Sequence, residues 1–409
     1  MNQRKLYKTI ESFDSKKFDT TQDLLAHVVR QLVDNDRIEI RGGRVWKLNQ
    51  QKTAYELTAQ FGMMEKIKPH FFVRVDDYRM FKLLPKHRTM VANETNAYLR
   101  SKGILKYSAT GVGDLVKVNG TELYPYVLSF NTDLNHEQVA PTLNIISLAV
   151  TSMLQSRSIE KKRAQLQKDL DKARLIQQSI LPEHELRFHN YEIFGVSVAD
   201  RIVGGDFFDY VLSDDGDRVG IAIGDAASKG ISAAVQALYV SGALRMGAGF
   251  ETKISTLIRK INSLVHRTFT DERFLTLFYA ELIDDKQGLC VYVNAGHSSP
   301  MVYRSKNDAV ELLDATGNII GPFEDQIYRS EGVMIDKGDI LLLYTDGVSE
   351  AMDESGNQYT ERRMIEKLTS MKKKHPQEIA RLLLEDVQKF NAKSKYSDDK
   401  TIVVIKRVK

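Results

Sequence analysis

The run GDILLLYTDGVSEA (residues 338–351) strings together Ile340, Leu341, Leu342, Leu343 and Tyr344 and then stops at Thr345-Asp346-Gly347. A short unbroken apolar run closed by turn residues predicts a strand buried on both faces. The carboxylate at its end is costly beside an apolar core unless it is paired or bound to a cation. The same design recurs at VGIAIGD (219–225), which ends on Gly224-Asp225, and in reverse where Asp398-Asp399 precedes a strand at 401–405. A fourth instance opens a strand: Gly204-Gly205-Asp206 stands before 207–212, with Asp209 inside it. One aspartate at a strand end is ordinarily a turn or a cap. Aspartates at four separate strand ends predict carboxylates converging on one mouth of a sandwich. Repulsion there holds some of them protonated or demands a divalent cation. Oxygen donors without convincing His or Cys partners point to Mg²⁺ or Mn²⁺ and away from zinc. Two such ions would polarise a phosphoryl oxygen and activate water, so the pattern predicts phosphate-ester hydrolysis without a protein nucleophile.

Outward from this run, strands are predicted at 191–198, 207–212, 219–223, 275–283, 289–294, 301–304, 328–335, 340–344 and 401–405, with helices at 231–248, 253–268, 360–371 and 376–391. Strands joined mostly by short turns, with helices grouped between them, predict an α+β sandwich and not alternating β/α units. Residues 1–150 also mix both patterns. A helix at 23–33 follows Thr20 and Thr21 as caps, a hairpin at 37–48 turns at Gly42-Gly43, strands follow at 53–58, 70–75, 115–118 and 124–130, and a helix at 139–154 closes the region. Between the two lies an amphipathic helix, 151–182, ended by Pro182. Ile159, Leu166, Ala173 and Ile180 recur every seven residues on it, while Arg163 and Gln177 occupy the other seam positions. It reads either as a coiled coil or as a surface linker helix.

The 409 residues predict two to three domains. Apolar residues at 42% and charged residues at 27% are globular proportions. The 58 Lys and Arg exceed the 54 Asp and Glu by only 4, too little for a nucleic-acid footprint. Cys290 is the sole cysteine, which excludes an intrachain disulfide and a cysteine-built zinc site; its strand pattern reads as core. The N-terminus lacks the apolar run of a signal peptide, and the apolar stretch 143–154 is short and interrupted by polar residues, so a cytoplasmic protein without membrane insertion is expected.

The motifs GGDFFD (204–209), GDAASKG (224–230), NAGH (294–297), GDILLLYTDGVSEA (338–351) and SDDKT (397–401) resemble, in order, the SpoIIE/RsbU branch of the metal-dependent protein phosphatases (PPM family). ARLIQQSILP (173–182) resembles the segment that precedes that domain. The resemblance covers about 173–409 and implies, over 183–409, a β-sandwich flanked by helices, two Mn²⁺ or Mg²⁺ ions, and hydrolysis of phosphoserine or phosphothreonine on a protein. Carried over residue by residue, it implies that Asp225 bridges both ions and the Ala226 carbonyl ligates one. Asp206 holds an ion or its water. Asp346 and Asp398 complete the shell, with Asp399 the lesser choice of the final pair. Asp209 is implied to stand behind the ligands, Gly204 and Gly205 to let the backbone approach, and Gly347 to permit the turn. The common GDVSGKG is here GDAASKG, so Ser228 replaces a glycine and strain is expected in that loop, through Ala227 and Ser228.

His297 reads as a positioned structural histidine in preference to a general acid, and Lys229 either as an anion contact at a helix start or as an exposed lysine. Residues 20–155 resemble a GAF domain in element order, without a ligand signature; Trp46 reads as pocket lining or as packing. The resemblance implies a phosphorylated STAS-domain protein as substrate and a homodimer through the GAF-like domain and linker. An adaptor that binds a phosphorylated partner without hydrolysing it, and a small-molecule phosphatase, are the competing readings.

Overall fold

The structure, a computed structural model, describes residues 18–34, 40–118, 120–132, 136–249, 253–269, 274–285, 287–394 and 396–408. It divides into two compact units, Met1–Leu166 and Gln167–Lys409.

In the first unit a helix, Thr21–Val33, precedes strands β1 (Ile40–Leu48), β2 (Ala54–Gly62), β3 (Phe72–Arg74), β4 (Thr89–Asn93), β5 (Lys106–Val112), β6 (Val116–Val118), β7 (Thr121–Leu123) and β8 (Tyr126–Thr132). Short helices Arg79–His87 and Ala97–Ser101 flank β4 in the chain. Six strands form one sheet in the order β3-β2-β1-β8-β5-β4. The first helix starts where Thr20 and Asp23 cap each other's backbone N–H. Its Leu24, Leu25, Val28, Val29 and Leu32 pack with Val139, Leu143, Ile146 and Val150 around Val45, Leu128 and Phe130 of the sheet. A separate core gathers Trp46, Tyr55, Leu57 and Tyr107 with Met80, Phe81 and Leu84.

The hairpin expected at Gly42-Gly43 does not form. β1 runs straight through both glycines, pairing Gly43 with Phe61 of β2 and with Phe130 of β8. A Cβ on Gly43 would lie 2.6 Å from Val29 Cγ1, so the glycine marks the close approach of the first helix and not a turn. Residues 37–39 of that hairpin lie outside the described residues. The stretch 79–112, in which no element was expected, carries two short helices and two strands. Pro85 inside Arg79–His87 masks the helix, and β5 is buried at nearly every position, so it shows no alternation.

The helices expected at 139–154 and 151–182 are one 45-residue helix, His136–Ile180. By length and composition it is apolar enough to cross a membrane. Four of its apolar residues, Val139, Leu143, Ile146 and Val150, are nevertheless buried in the core of the first unit. Farther along, Ile159, Leu166, Leu175 and Ile176 are exposed.

The second unit contains β9 (Glu185–Phe188), β10 (Tyr191–Val198), β11 (Phe207–Leu212), β12 (Arg218–Ala226), β13 (Leu275–Ile283), β14 (Leu289–Ala295), β15 (Met301–Arg304), β16 (Ala309–Leu312), β17 (Glu331–Met334), β18 (Ile340–Tyr344) and β19 (Lys400–Arg407). They form two antiparallel sheets, β16-β15-β18-β19-β10-β9 and β11-β12-β13-β14-β17. Val219, Ile221, Ile223 and Phe278 meet Leu341, Leu343, Val403 and Ile405 between the sheets. Ala222 and Leu277 face Ala233, Ala237, Ile258 and Ile261 of helices Ile231–Ala248 and Ile254–Thr268. Leu342, Ile402 and Val404 face Met364, Leu368, Ile379 and Leu383 of helices Glu361–Ser370 and Pro376–Phe390. Alternate residues of a strand thus feed two different apolar layers, which is why these strands read as unbroken apolar runs. The expected α+β sandwich is what forms. β9 and β16, which the sequence did not announce, are the polar outer strands of the larger sheet, and β17 is shorter than its expected span.

Gly43→Ala should destabilise the full chain by about 1–3 kcal/mol through overpacking against Val29, read as a lower urea midpoint. A neutral substitution would mean that the helix does not approach the strand this closely.

Candidate metal centre

Strand register brings the aspartates together. Gly224 pairs with Phe207 and Asp225 with Thr276, so Asp206, one residue before Phe207, stands beside the end of β12. In the other sheet Tyr344 pairs with Ile402, which puts Asp346 and Asp398-Asp399 at the same end. A hydrogen-bond chain stitches the sheets there: Thr401 N donates to Thr345 Oγ1 at 3.0 Å, and Thr345 Oγ1 donates to Asp206 Oδ2 at 2.6 Å. Asp399 reaches back, accepting from Gly205 N at 2.6 Å and from Asp200 N at 2.8 Å. Above this floor opens a cleft of about 230 Å³ lined by Asp225, Ala226, Lys229, Asp346, Asp398 and Asp399 among others.

The electrostatics are those of crowded acids. Burial first, then the charge of Asp225, hold the Asp206 carboxyl well above the usual range, against the Thr345 hydrogen bond that lowers it. Burial and then Asp346 push Asp225 up to about 7, partly offset by a hydrogen bond with Asp206. Asp346 is raised by burial, Glu350 and Asp398. Arg201 and Lys229 also line the cleft; Lys229 Nζ lies 2.9 Å from Asp398 Oδ2, but both side chains of that pair are half exposed and such a pair contributes little.

Among the described residues no three acidic, His or Cys groups are already drawn into a metal-ligand cluster. The donor set nevertheless fits hard cations. The donors are all oxygen, their mutual repulsion is relieved by positive charge, and glycines leave a cradle around them. A Cβ on Gly347 would lie 1.9 Å from the Asp399 carbonyl oxygen, one on Gly204 2.6 Å from Asp399 Oδ2, and one on Gly205 3.0 Å from the Ala226 carbonyl oxygen. Gly347 is thus required by close approach and not by a left-handed turn. The strain expected at Ser228 is absent: among the described residues its φ is not positive, and the left-handed position of the loop is Gly230, φ 72°.

Asp209 is turned elsewhere. It is fully buried, with Arg245 Nε at 2.7 Å and Nη2 at 2.9 Å and Ser241 Oγ at 2.7 Å. Arg245 Nη2 also donates to the Ile180 carbonyl at 2.6 Å, the last residue of the long helix. The same helix supplies Gln177, 8% exposed, whose Nε2 donates to Gly204 O at 2.7 Å and whose Oε1 accepts from Gly204 N at 3.2 Å. Gln177, Thr345 and Arg245 were not among the expected site residues. The signal for Gln177 was an uncharged polar residue in an apolar seam. His297 is buried, with Nδ1 2.8 Å from Thr276 Oγ1, and burial lowers it to about 4, so it is neutral and supports Thr276 on the cleft wall. Cys290 is core, its thiol pushed up to about 12 by burial.

The sequence profile described as Stage II sporulation protein E (SpoIIE) matches residues 215–408, starting after the GGDFFD motif. Phosphoserine phosphatase RsbU of Bacillus subtilis (strain 168) is 28% identical over 246 residues, 59% of this chain and 71% of the relative. Phosphoserine phosphatase RsbP of the same organism is 28% identical over 246 residues, 58% of this chain but only 57% of the relative. The SiaA-PP2C domain of Pseudomonas aeruginosa shares the fold at a TM-score of 0.51 and 21% identity, over 60% of this chain and 98% of that one.

A carboxyl raised on folding favours the folded state below its unfolded pKa, near 4, and loses that contribution as pH rises through its folded value. With Asp225 at about 7, and with Asp206 and Asp346 raised beside Asp398, Asp399 and Lys229, metal-free protein should lose stability between about pH 4 and 7. Thermal melts in chelator should show a decline that Asp225→Asn flattens. A flat wild-type profile would contradict this electrostatic reading.

Proposed function

We propose, from the match of residues 215–408 to the SpoIIE profile, that this chain is a metal-dependent protein phosphatase hydrolysing phosphoserine or phosphothreonine on a partner protein. The observation that carries this is the convergence of Asp206, Asp225, Asp346 and Asp398 on one cleft end of the sandwich. Asp225, Asp346 and Asp398, with Asp206 beneath and the Ala226 carbonyl beside them, would hold two Mn²⁺ or Mg²⁺ ions. Those ions supply charge neutralisation and Lewis-acid activation of water at the phosphoryl group.

The remaining work belongs to the chain itself. Thr345 fixes the rotamer of Asp206 by donating to Oδ2, and a hydrogen bond links Asp206 to Asp225 in the cleft wall. Arg201 and Lys229 are cations lining the cleft, placed to orient a phosphate dianion. Lys229 must exchange Asp398 for phosphate, a low-cost exchange between half-exposed groups. With His297 held neutral by burial, the leaving alkoxide takes its proton from water in the open cleft and not from imidazole.

Control fits the end of the long helix. Gln177 clamps both backbone groups of Gly204, two residues before Asp206, and Arg245 joins the helix's last carbonyl to Asp209 in β11. A shift at that helix end therefore reaches the backbone carrying a ligand. The first unit serves as the sensory and dimerising part, with the exposed seam residues Ile159 and Leu166 as contact between copies, and the substrate is a phosphorylated STAS-type protein.

The test is phosphate release from a phosphoserine protein or peptide by the full chain, with and without Mn²⁺. Asp225→Asn should lower the Mn²⁺-dependent rate about a hundredfold or more, the several kcal/mol that Lewis-acid stabilisation supplies. A rate unchanged in that variant would sink the reading. Gln177→Ala should raise the Mn²⁺ concentration for half-maximal activity about tenfold, as loss of a supporting hydrogen bond does, while the rate at saturating Mn²⁺ recovers. A fall in rate that saturating Mn²⁺ does not restore would argue against a positioning role.

A further inference from the structure

Within the first unit lies a cavity of about 30 Å³ whose walls include Trp46, Tyr78, Phe81 and Tyr107 and whose polar groups include Arg44 and Glu94. Arg44 lies on β1, an inner strand of the sheet, and is 3% exposed. Strand alternation turns it to the same side as Trp46 and Leu48. A guanidinium removed from water costs several kcal/mol unless its donors are engaged. Nη1 donates to Asn131 Oδ1, and Asn131 is fixed in turn by donating Nδ2 to the Lys106 carbonyl at 2.8 Å. Nε, however, has no partner.

Glu94, 5% exposed, has the complementary defect. Its Oε1 accepts from Tyr78 Oη at 2.6 Å, Thr95 N at 2.8 Å and Asn96 N at 2.8 Å, while Oε2 accepts nothing among the described residues. The two charges feel each other, since Glu94 raises the Arg44 guanidinium that burial lowers to about 10. They nevertheless form no direct ion pair. A charge pair kept only to knit a core would be in contact, because an incompletely bonded buried charge costs more than the pair returns. The space between them would take about two waters, which meet single hydrogen bonds but neutralise neither charge.

We propose that this cavity binds glycine, the smallest α-amino acid zwitterion, with its carboxylate on Arg44, its ammonium on Glu94 and its methylene facing Trp46 and Phe81. A space that takes about two waters excludes longer side chains. Nothing in this inference rests on the phosphatase reading.

Trp46 is the only tryptophan, so its fluorescence in the full chain reports the cavity directly. Titration with glycine should give a saturable change at concentrations at least about tenfold below those needed for acetate or methylammonium, each of which offers one charge, or for leucine, whose side chain the volume excludes. Glu94→Gln keeps the Oε1 acceptor and the size of the side chain, and should weaken the response about tenfold or more. Arg44→Lys, which keeps the charge but loses the planar fork, should weaken it likewise. The wild-type comparison stands even where a variant fails to fold. No saturable response to glycine, or acetate, methylammonium or leucine binding as tightly as glycine, overturns the proposal.

Discussion

Everything at the functional end of this molecule depends on holding like charges together. Asp206, Asp225, Asp346, Asp398 and Asp399 would separate if their backbones were free. The structure prevents it by anchoring each to a strand of the densely packed sandwich, where Ile221, Ile223, Leu341, Leu343, Val403 and Ile405 are fully buried. Hydrophobic burial on this scale outweighs the few kcal/mol of carboxylate repulsion. The core therefore fixes the charges, and the charges in turn create the demand for a cation. The Thr401–Thr345–Asp206 chain of hydrogen bonds turns two packed sheets into one site, since it is where a strand end in one sheet holds a carboxylate leading into the other.

The same constraint explains why the helix ending at Ile180 matters. Asp206 is carried by a short segment between β10 and β11, and that segment is fastened at Gly205 to Asp399 and at Gly204 to Gln177. One tie belongs to the site itself; the other belongs to an element outside the sandwich. Removing or rotating the second leaves a repelled carboxylate on a backbone held from one side only. The departure at Ser228 bears less on this than its position suggested, because the left-handed residue of its loop is Gly230 and the loop is tied by Ala227 N donating to the Phe274 carbonyl at 2.9 Å.

What was legible in the sequence, and what was not, follows from whether a signal is local. The buried strands and their terminal aspartates were legible because burial on both faces writes unbroken apolar runs and a carboxylate beside such a run has few explanations. Gly42-Gly43 misled because a glycine pair is the usual mark of a turn, whereas here it records a helix packed on a strand, a contact between distant residues. The bonding of Asp209 was equally out of reach of a local reading. Its neighbours in sequence are site residues, yet its partners are Ser241 and Arg245, more than thirty residues away. Thr345 was invisible as a site residue because a hydrogen bond across the fold leaves no pattern in sequence, and Gln177 showed only as a polar residue out of place in an apolar seam.

The two units are thus alike in one physical respect. Each keeps buried ionisable groups whose bonding is incomplete among the described residues: acids at the cleft, and an arginine and a glutamate in the cavity. Incompletely bonded charge costs folding free energy, which a ligand that completed the bonding would recover. If a ligand in the cavity biases the helix that ends at Gln177 and Ile180, the reciprocity of binding free energies requires cations at the cleft to change the cavity's affinity by the same factor. Regulation of this kind needs no contact between the ligands. It needs one element whose two arrangements bond the buried charges unequally.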